Sequence, residues 1–324
     1  MIQCIQYRKS SFLGTEEWRS IPWEITPKDV YQKLYDKGFA FGALLEEIDN
    51  ADLLTPNTST SALLAFLNRL SSLNIEMDQW YQELLSKSPS PLYWTTLPRS
   101  NTASISTGGH LQEALESDFT APIAFPTLRM ANITLTYWAI RIILSSTIAV
   151  TCGAILSTNT LLLHGEFSGS GDLRGMAQQQ LSLHSDRIRL EYATNIMRSM
   201  PYCLSDSMGL LGAQKSLFGL RTALASLRRH PGQELKWCQA IYQQMHNRKG
   251  IRYAREIAQL DVSFGASGRD SLPMRVRETD PPHPSNEGQA ASSSAQSLSP
   301  SIRTPAFSET QFPVLDEGFI TDAC

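Results

Sequence analysis

A chain of 324 residues can build one large domain, or two modest ones with a tail, and can bury a core without covalent staples. Its apolar fraction of 42% and charged fraction of 18% are those of a globular protein, and a net charge of −3 excludes the basic field of a free-standing nucleic-acid-binding domain. Cys4, Cys152, Cys203, Cys238 and Cys324 are scattered without a C-x-x-C pair, which excludes a disulfide framework or zinc ribbon and points to free thiols in a reducing compartment.

Residues 1–25 read as a partly ordered lead-in with Trp18, Ile21 and Trp23 as anchors around Pro22. The first residues lack the apolar core of a secretory signal, so an intracellular protein is expected. Thr26 followed by Pro27 has the form of a helix N-cap and first helical position. Behind it Val30, Leu34, Ala40, Leu44, Leu45 and Ile48 recur at loosely helical spacing. After a polar break over 50–61, Leu63, Leu67, Leu70, Met77, Trp80, Tyr81 and Leu84 mark a clearer helix over 61–85. A Ser/Pro/Thr/Gly-rich loop over 86–113 carries Pro91, Leu92, Tyr93 and Trp94 as an apolar plug that pins it to the core.

Pro122 and Pro126 bracket a short connection into a helix over 127–156. Its stretch Ile133–Leu156 is long enough to be weighed as a membrane span. Against that stand Arg141 at its middle, costing about 2.5–3.5 kcal/mol on insertion scales, and the hydroxyls of Thr134, Thr136, Ser145, Ser146, Thr147 and Thr151. The expectation is a buried helix with Arg141 snorkelling or ion-paired, and no membrane among the partners. A Gly/Ser-rich loop follows over 164–175. Its Gly169, Gly171 and Gly175 imitate a dinucleotide loop only weakly, since the third glycine falls one residue late and no βαβ pattern surrounds it.

Leu181, Ile188, Tyr192, Ile196 and Met200 then share one helical face ending at Pro201. The next stripe, Leu217, Leu220, Leu224 and Leu227, closes with Arg228, Arg229 and His230 before Pro231 and Gly232. Leu235, Cys238, Ile241, Tyr242 and Met245 form a further one, closed by Arg248, Lys249 and Gly250. Cations at helix C-termini complement the helix dipole, which accounts for both basic clusters without phosphate contacts. A short last helix is expected over 251–260. No strand alternation is sustained and no repeat of fixed period occurs, so the predicted fold class is all-α, an irregular multi-helix domain over 26–260. The Ser/Pro-rich tail over 261–324 cannot bury enough apolar surface to offset chain entropy and is predicted disordered. At its end Val314, Leu315, Phe319 and Ile320 alternate with Asp316, Glu317 and Asp322. An inert tail outweighs the alternative of an activation segment that folds onto a coactivator.

Chemistry-bearing patterns are missing. His110, His164, His184, His230, His246 and His283 lack metal-ligand spacing, and no H-E-x-x-H, G-x-S-x-G or Walker-type motif occurs. No catalytic residue, metal or cofactor is expected. The Met208 to Gly212 segment reads as backbone geometry rather than a ligand loop. Tyr202, Cys203, Trp237 and Cys238 read as core anchors.

One resemblance rises above this background. From Arg198 to Cys238, the order Ser199, Tyr202-Cys203, Met208-Gly209, Gly212, Glu234 and Trp237-Cys238 resembles the regulatory region of fungal binuclear zinc-cluster transcription factors. Phe12-Leu13, Glu17-Trp18, Ile21-Pro22-Trp23, Pro27-Lys28-Asp29, Leu44-Leu45-Glu46, the stretch Met77 to Leu84, Leu92-Tyr93-Trp94, Ala124-Phe125-Pro126, Leu128, Ala131-Asn132 and Tyr137-Trp138 extend the likeness over residues 12–258. It implies an all-helical regulatory domain that acts in the nucleus through protein partners, such as a zinc-cluster factor or a coactivator, with effector binding, on a metabolic or secondary-metabolite gene set. Tyr202, Cys203, Met208, Gly209, Gly212, Trp237 and Cys238 are its family markers, read as packing residues. The chain departs from the family in lacking six closely spaced thiolates, so direct DNA binding is not expected. Two alternatives stand beside this: a truncated or mis-started zinc-cluster factor that binds DNA in full-length form, and, more remote, an enzyme on a helical scaffold.

Overall fold

Helix formation begins earlier than the sequence pattern indicates. In the computed structural model, which describes residues 1–51, 53–54, 58–96, 121–161, 170–230, 232–252 and 254, helix α1 spans Ile2–Tyr7. It buries Ile5 and lays Arg8 against the third helix, where Arg8 Nε donates to Asp49 at 2.6 Å. Trp18 and Ile21 are not the anchors of this region. They are 50% and 59% exposed, on a short helix α2 (Glu16–Ser20) and the turn after it, and Trp18 pairs edge-on with Phe12 at 5.5 Å instead of reaching the core.

Helix α3 (Val30–Asn50) starts three residues later than Thr26-Pro27 suggests, because Asp29 makes a full capping box. Its carboxylate accepts from the Gln32 amide, and the Gln32 side chain accepts from the Asp29 amide, both at 2.8 Å. Helix α4 (Thr60–Lys87) follows, capped by the Ser59 hydroxyl on the Ala62 amide. Strands β1 (Trp94–Thr95) and β2 (Ile123–Ala124) then pair antiparallel, with Trp94 opposite Ala124. Two residues are too few to show alternation, and the pair serves to tie the apolar plug to the entry of the next helix.

That next helix, α5 (Leu128–Leu161), organises the fold. Over 128–157 it is long and apolar enough to cross a membrane, with a mean hydropathy of 1.9 in its best window, yet 67% of that window is buried inside the protein. An all-round apolar helix is stable only when other elements cover every face. Here α3 and α4 pack on it together with α6 (Ser170–Leu183), α7 (Asp186–Arg198) and α9 (Gly209–Leu227). Helix α10 (Gln233–Lys249) packs on α9, and the short α8 (Met200–Cys203) joins α7 to it. The fold is all-α.

Two sequence expectations change here. The Gly/Ser stretch is helical from Ser170, so Gly171 and Gly175 lie inside α6, which packs on α5 with Ala177 fully buried. The face from Leu181 to Met200 is not one helix: the chain breaks at Ser185, which takes an extended N-cap conformation ahead of Asp186, and Leu181 remains 37% exposed. The described residues fall within one compact unit, Met1–Arg277. The predicted tail and most of the predicted last helix lie outside the described residues.

Candidate functional site

Polar side chains form a seam along α5. Thr147 and Thr151 turn back on the helix and donate to carbonyls four residues earlier at 2.9 Å each. Arg141, Ser145 and Ser146 meet other elements instead. Arg141, 12% exposed at its side chain, pairs with Asp78 of α4 and lies 5.8 Å over the Tyr137 ring. Tyr137 stacks on Tyr81 at 4.7 Å and meets Tyr192 of α7 edge-on at 6.4 Å. Burial pushes all three phenols up, so they remain neutral. The charge that argued against a membrane span is thus ion-paired.

One turn along, Ser145 Oγ lies 3.2 Å from Nδ1 of His184, which closes α6. Burial first, and then Arg141 and Arg189, push the imidazole down to about 4, so the ring is neutral at pH 7. Arg189 of α7 donates to the His184 carbonyl at 2.7 Å and pairs with Asp186. Burial works to raise the Asp186 carboxyl. Arg189, aided by His230 and Arg229, outweighs it and holds the group below its ordinary value. His230 approaches the other Asp186 oxygen at 3.7 Å. The seam ends in a shallow recess where α5, α7 and α9 meet, lined by Ser146, Asp186, Arg189, Ser226 and Arg229.

The residues that carry the resemblance lie elsewhere, outside the lining of that recess. Tyr202 is half-buried, its ring 5.4 Å from Phe125. Phe125 in turn contacts Tyr93 and Trp138 at 6.1 and 6.4 Å, so the loop plug, the β2 entry and the α8 turn share one aromatic cluster. Cys203 is 1% exposed and Cys238 fully buried. Burial pushes the Cys203 thiol up to about 12 and raises that of Cys238 as well, which leaves neither a thiolate nucleophile. Met208 ends a 3-10 turn, and Gly209 follows with φ +58, a backbone conformation that favours glycine. Gly212 lies so close to the Cys203 carbonyl that a Cβ there would overlap it, and would come within 2.7 Å of the Met208 Cβ. Trp237, 6% exposed, and Cys238 sit on α10.

Sequence reasoning singled out Arg141 from its position in an apolar run, but not its partner Asp78 in another helix. It weighed His184 only as a metal ligand and did not single out Asp186 or Arg189. Their one sequence signal is the Ser-Asp helix start at 185–186, masked by an apolar periodicity that runs through the break. Among the described residues no group of His, Cys, Asp and Glu could hold a metal ion. Comparison of the chain with family models, with curated proteins and with solved structures returns no match.

Proposed function

We propose that this protein is a transcriptional regulator of the fungal zinc-cluster kind, built on the helical regulatory domain. It works in the nucleus through protein partners and not through catalysis or its own grip on DNA, and it responds to a small effector on behalf of a restricted gene set. The observation that supports this most is the packing of the resemblance blocks. Leu92-Tyr93-Trp94, Ala124-Phe125-Pro126, Tyr137-Trp138 and Tyr202-Cys203 come from separate stretches of the chain and meet around one aromatic cluster.

Partner binding has its own support. The lead-in exposes Phe12, Trp18, Ile21 and Ile25, the last 96% exposed, as an apolar surface of the kind that marks protein contact sites. Profiling transcripts after deletion of the gene tests the proposal. The expected result is altered expression confined to a small gene set under inducing conditions. An unchanged transcriptome under those conditions would overturn it.

A further inference from the structure

Few side chains fasten helix α6. It packs on α5 and on no other helix to a comparable extent. Of its side chains from Arg174 to Leu183, only Ala177 is buried, and a methyl group is all that Ala177 has to bury. Met176, Leu181 and Leu183 stay exposed. Helix α7, one residue shorter, buries Arg189, Ala193, Ile196 and Met197. An element that buries so little apolar surface belongs at the low end of local opening free energies, well below the cost of unfolding the whole body.

The bulky side chain that fastens this helix is His184, directly after its last turn. The ring is buried against α5, with Nδ1 3.2 Å from Ser145 Oγ. It also stands at a joint. Ser185 is extended, with ψ 160, and α7 starts afresh at Asp186, so the chain can bend there without unwinding either helix. Three charges act on the ring: Arg141 of α5, Arg189 of α7 and Asp78 of α4. Both arginines oppose its protonation. Asp78 favours it but is engaged by Arg141, and Asp186, two residues on, is engaged by Arg189. A helix C-terminus ordinarily favours a charged histidine. Here Arg189 donates to the His184 carbonyl itself at 2.7 Å and weakens that help. The closed site therefore rejects a charged ring that water accepts.

We propose that α6 is an acid-released latch: a proton on His184 swings it off α5 about Ser185, while the rest of the helical body stays folded. The proton comes from water and returns to it as pH rises, so the latch closes again. Because α5 is apolar on every face, the surface that α6 uncovers is apolar. The ring takes up its proton at about 4 with α6 closed and at the ordinary 6.5 with α6 open. Opening is therefore favoured progressively as pH falls through that window, by about thirtyfold between pH 7.5 and pH 5. The latch does not depend on the transcriptional proposal, and either can fail without the other.

Hydrogen exchange of the full chain tests this, read by mass spectrometry at pH 7.5 and pH 5 and corrected for intrinsic exchange rates. Amides from Arg174 to Leu183 are expected to lose about thirtyfold in protection at the lower pH, while those of α9 keep theirs. His184→Gln leaves a neutral polar side chain at the joint, so its α6 protection should be the same at both pH values. His230→Gln, which removes the histidine beside Asp186, should respond as the parent does. Protection of α6 that does not change with pH in the parent would overturn the latch, as would its loss together with that of α9. A response that survives in folded His184→Gln, or vanishes in His230→Gln, would also overturn it.

Discussion

His184 and Gly212 show what single residues do in this core. His184 is 6% exposed, bonded to Ser145, and flanked by Arg141 on α5 and Arg189 on α7, with Asp78 of α4 as the one acid that favours its charged form. Its pKa falls from 6.5 to about 4 on folding, so the folded state favours the neutral ring. The associated stability is complete above pH 6.5 and is lost as pH drops from 6.5 toward 4, an effect on the order of 3 kcal/mol. Urea unfolding should therefore show stability declining over that window in the parent, and a flatter profile in His184→Gln. Equal slopes would show that the ring is not buried neutral. Gly212 and Gly209 make a second contrast. An added Cβ at Gly212 meets the Cys203 carbonyl, which a backbone cannot yield cheaply, whereas at Gly209 it meets open space and only the positive φ opposes it. Gly212→Ala should cost about 1–3 kcal/mol and Gly209→Ala about 1, measured by chemical denaturation. The reverse order would contradict the close approach of α9 to the α8 turn.

At the scale of elements, the lead-in and α5 stand at opposite extremes. Helix α5 is wrapped by its neighbours, while α2 and its flanking turns bury no residue. Replacing Trp18 and Ile21 together by Glu should leave stability within about 0.5 kcal/mol, as for exposed positions generally, yet abolish capture of the protein partner. A matching loss of stability would mean the segment is structural. The same contrast explains what could be read from sequence. The stripes of α4, α9 and α10, and the burial of α5 with Arg141 paired, were legible because apolar spacing and one central charge report burial directly. The start of α3 was misplaced because Thr26-Pro27 imitates a cap that Asp29 and Gln32 make better. The break at Ser185 and the recess behind it were illegible. Apolar spacing continues across the break, and Ser146, Arg189 and Arg229 come together only through the packing of three helices. Arg229 could be read only as a helix-end cation, which it also is.

The described residues form a helical body organised on one buried helix, with an exposed apolar segment in the lead-in. For a protein proposed to regulate transcription through partners, that arrangement assigns partner contact to the lead-in. The most direct measurement is chromatin mapping of the tagged protein, in cells with and without the zinc-cluster factor proposed as its partner. The account predicts occupancy at discrete promoters that disappears when that partner is removed. Occupancy that persists without the partner, or none at all under inducing conditions, would contradict it.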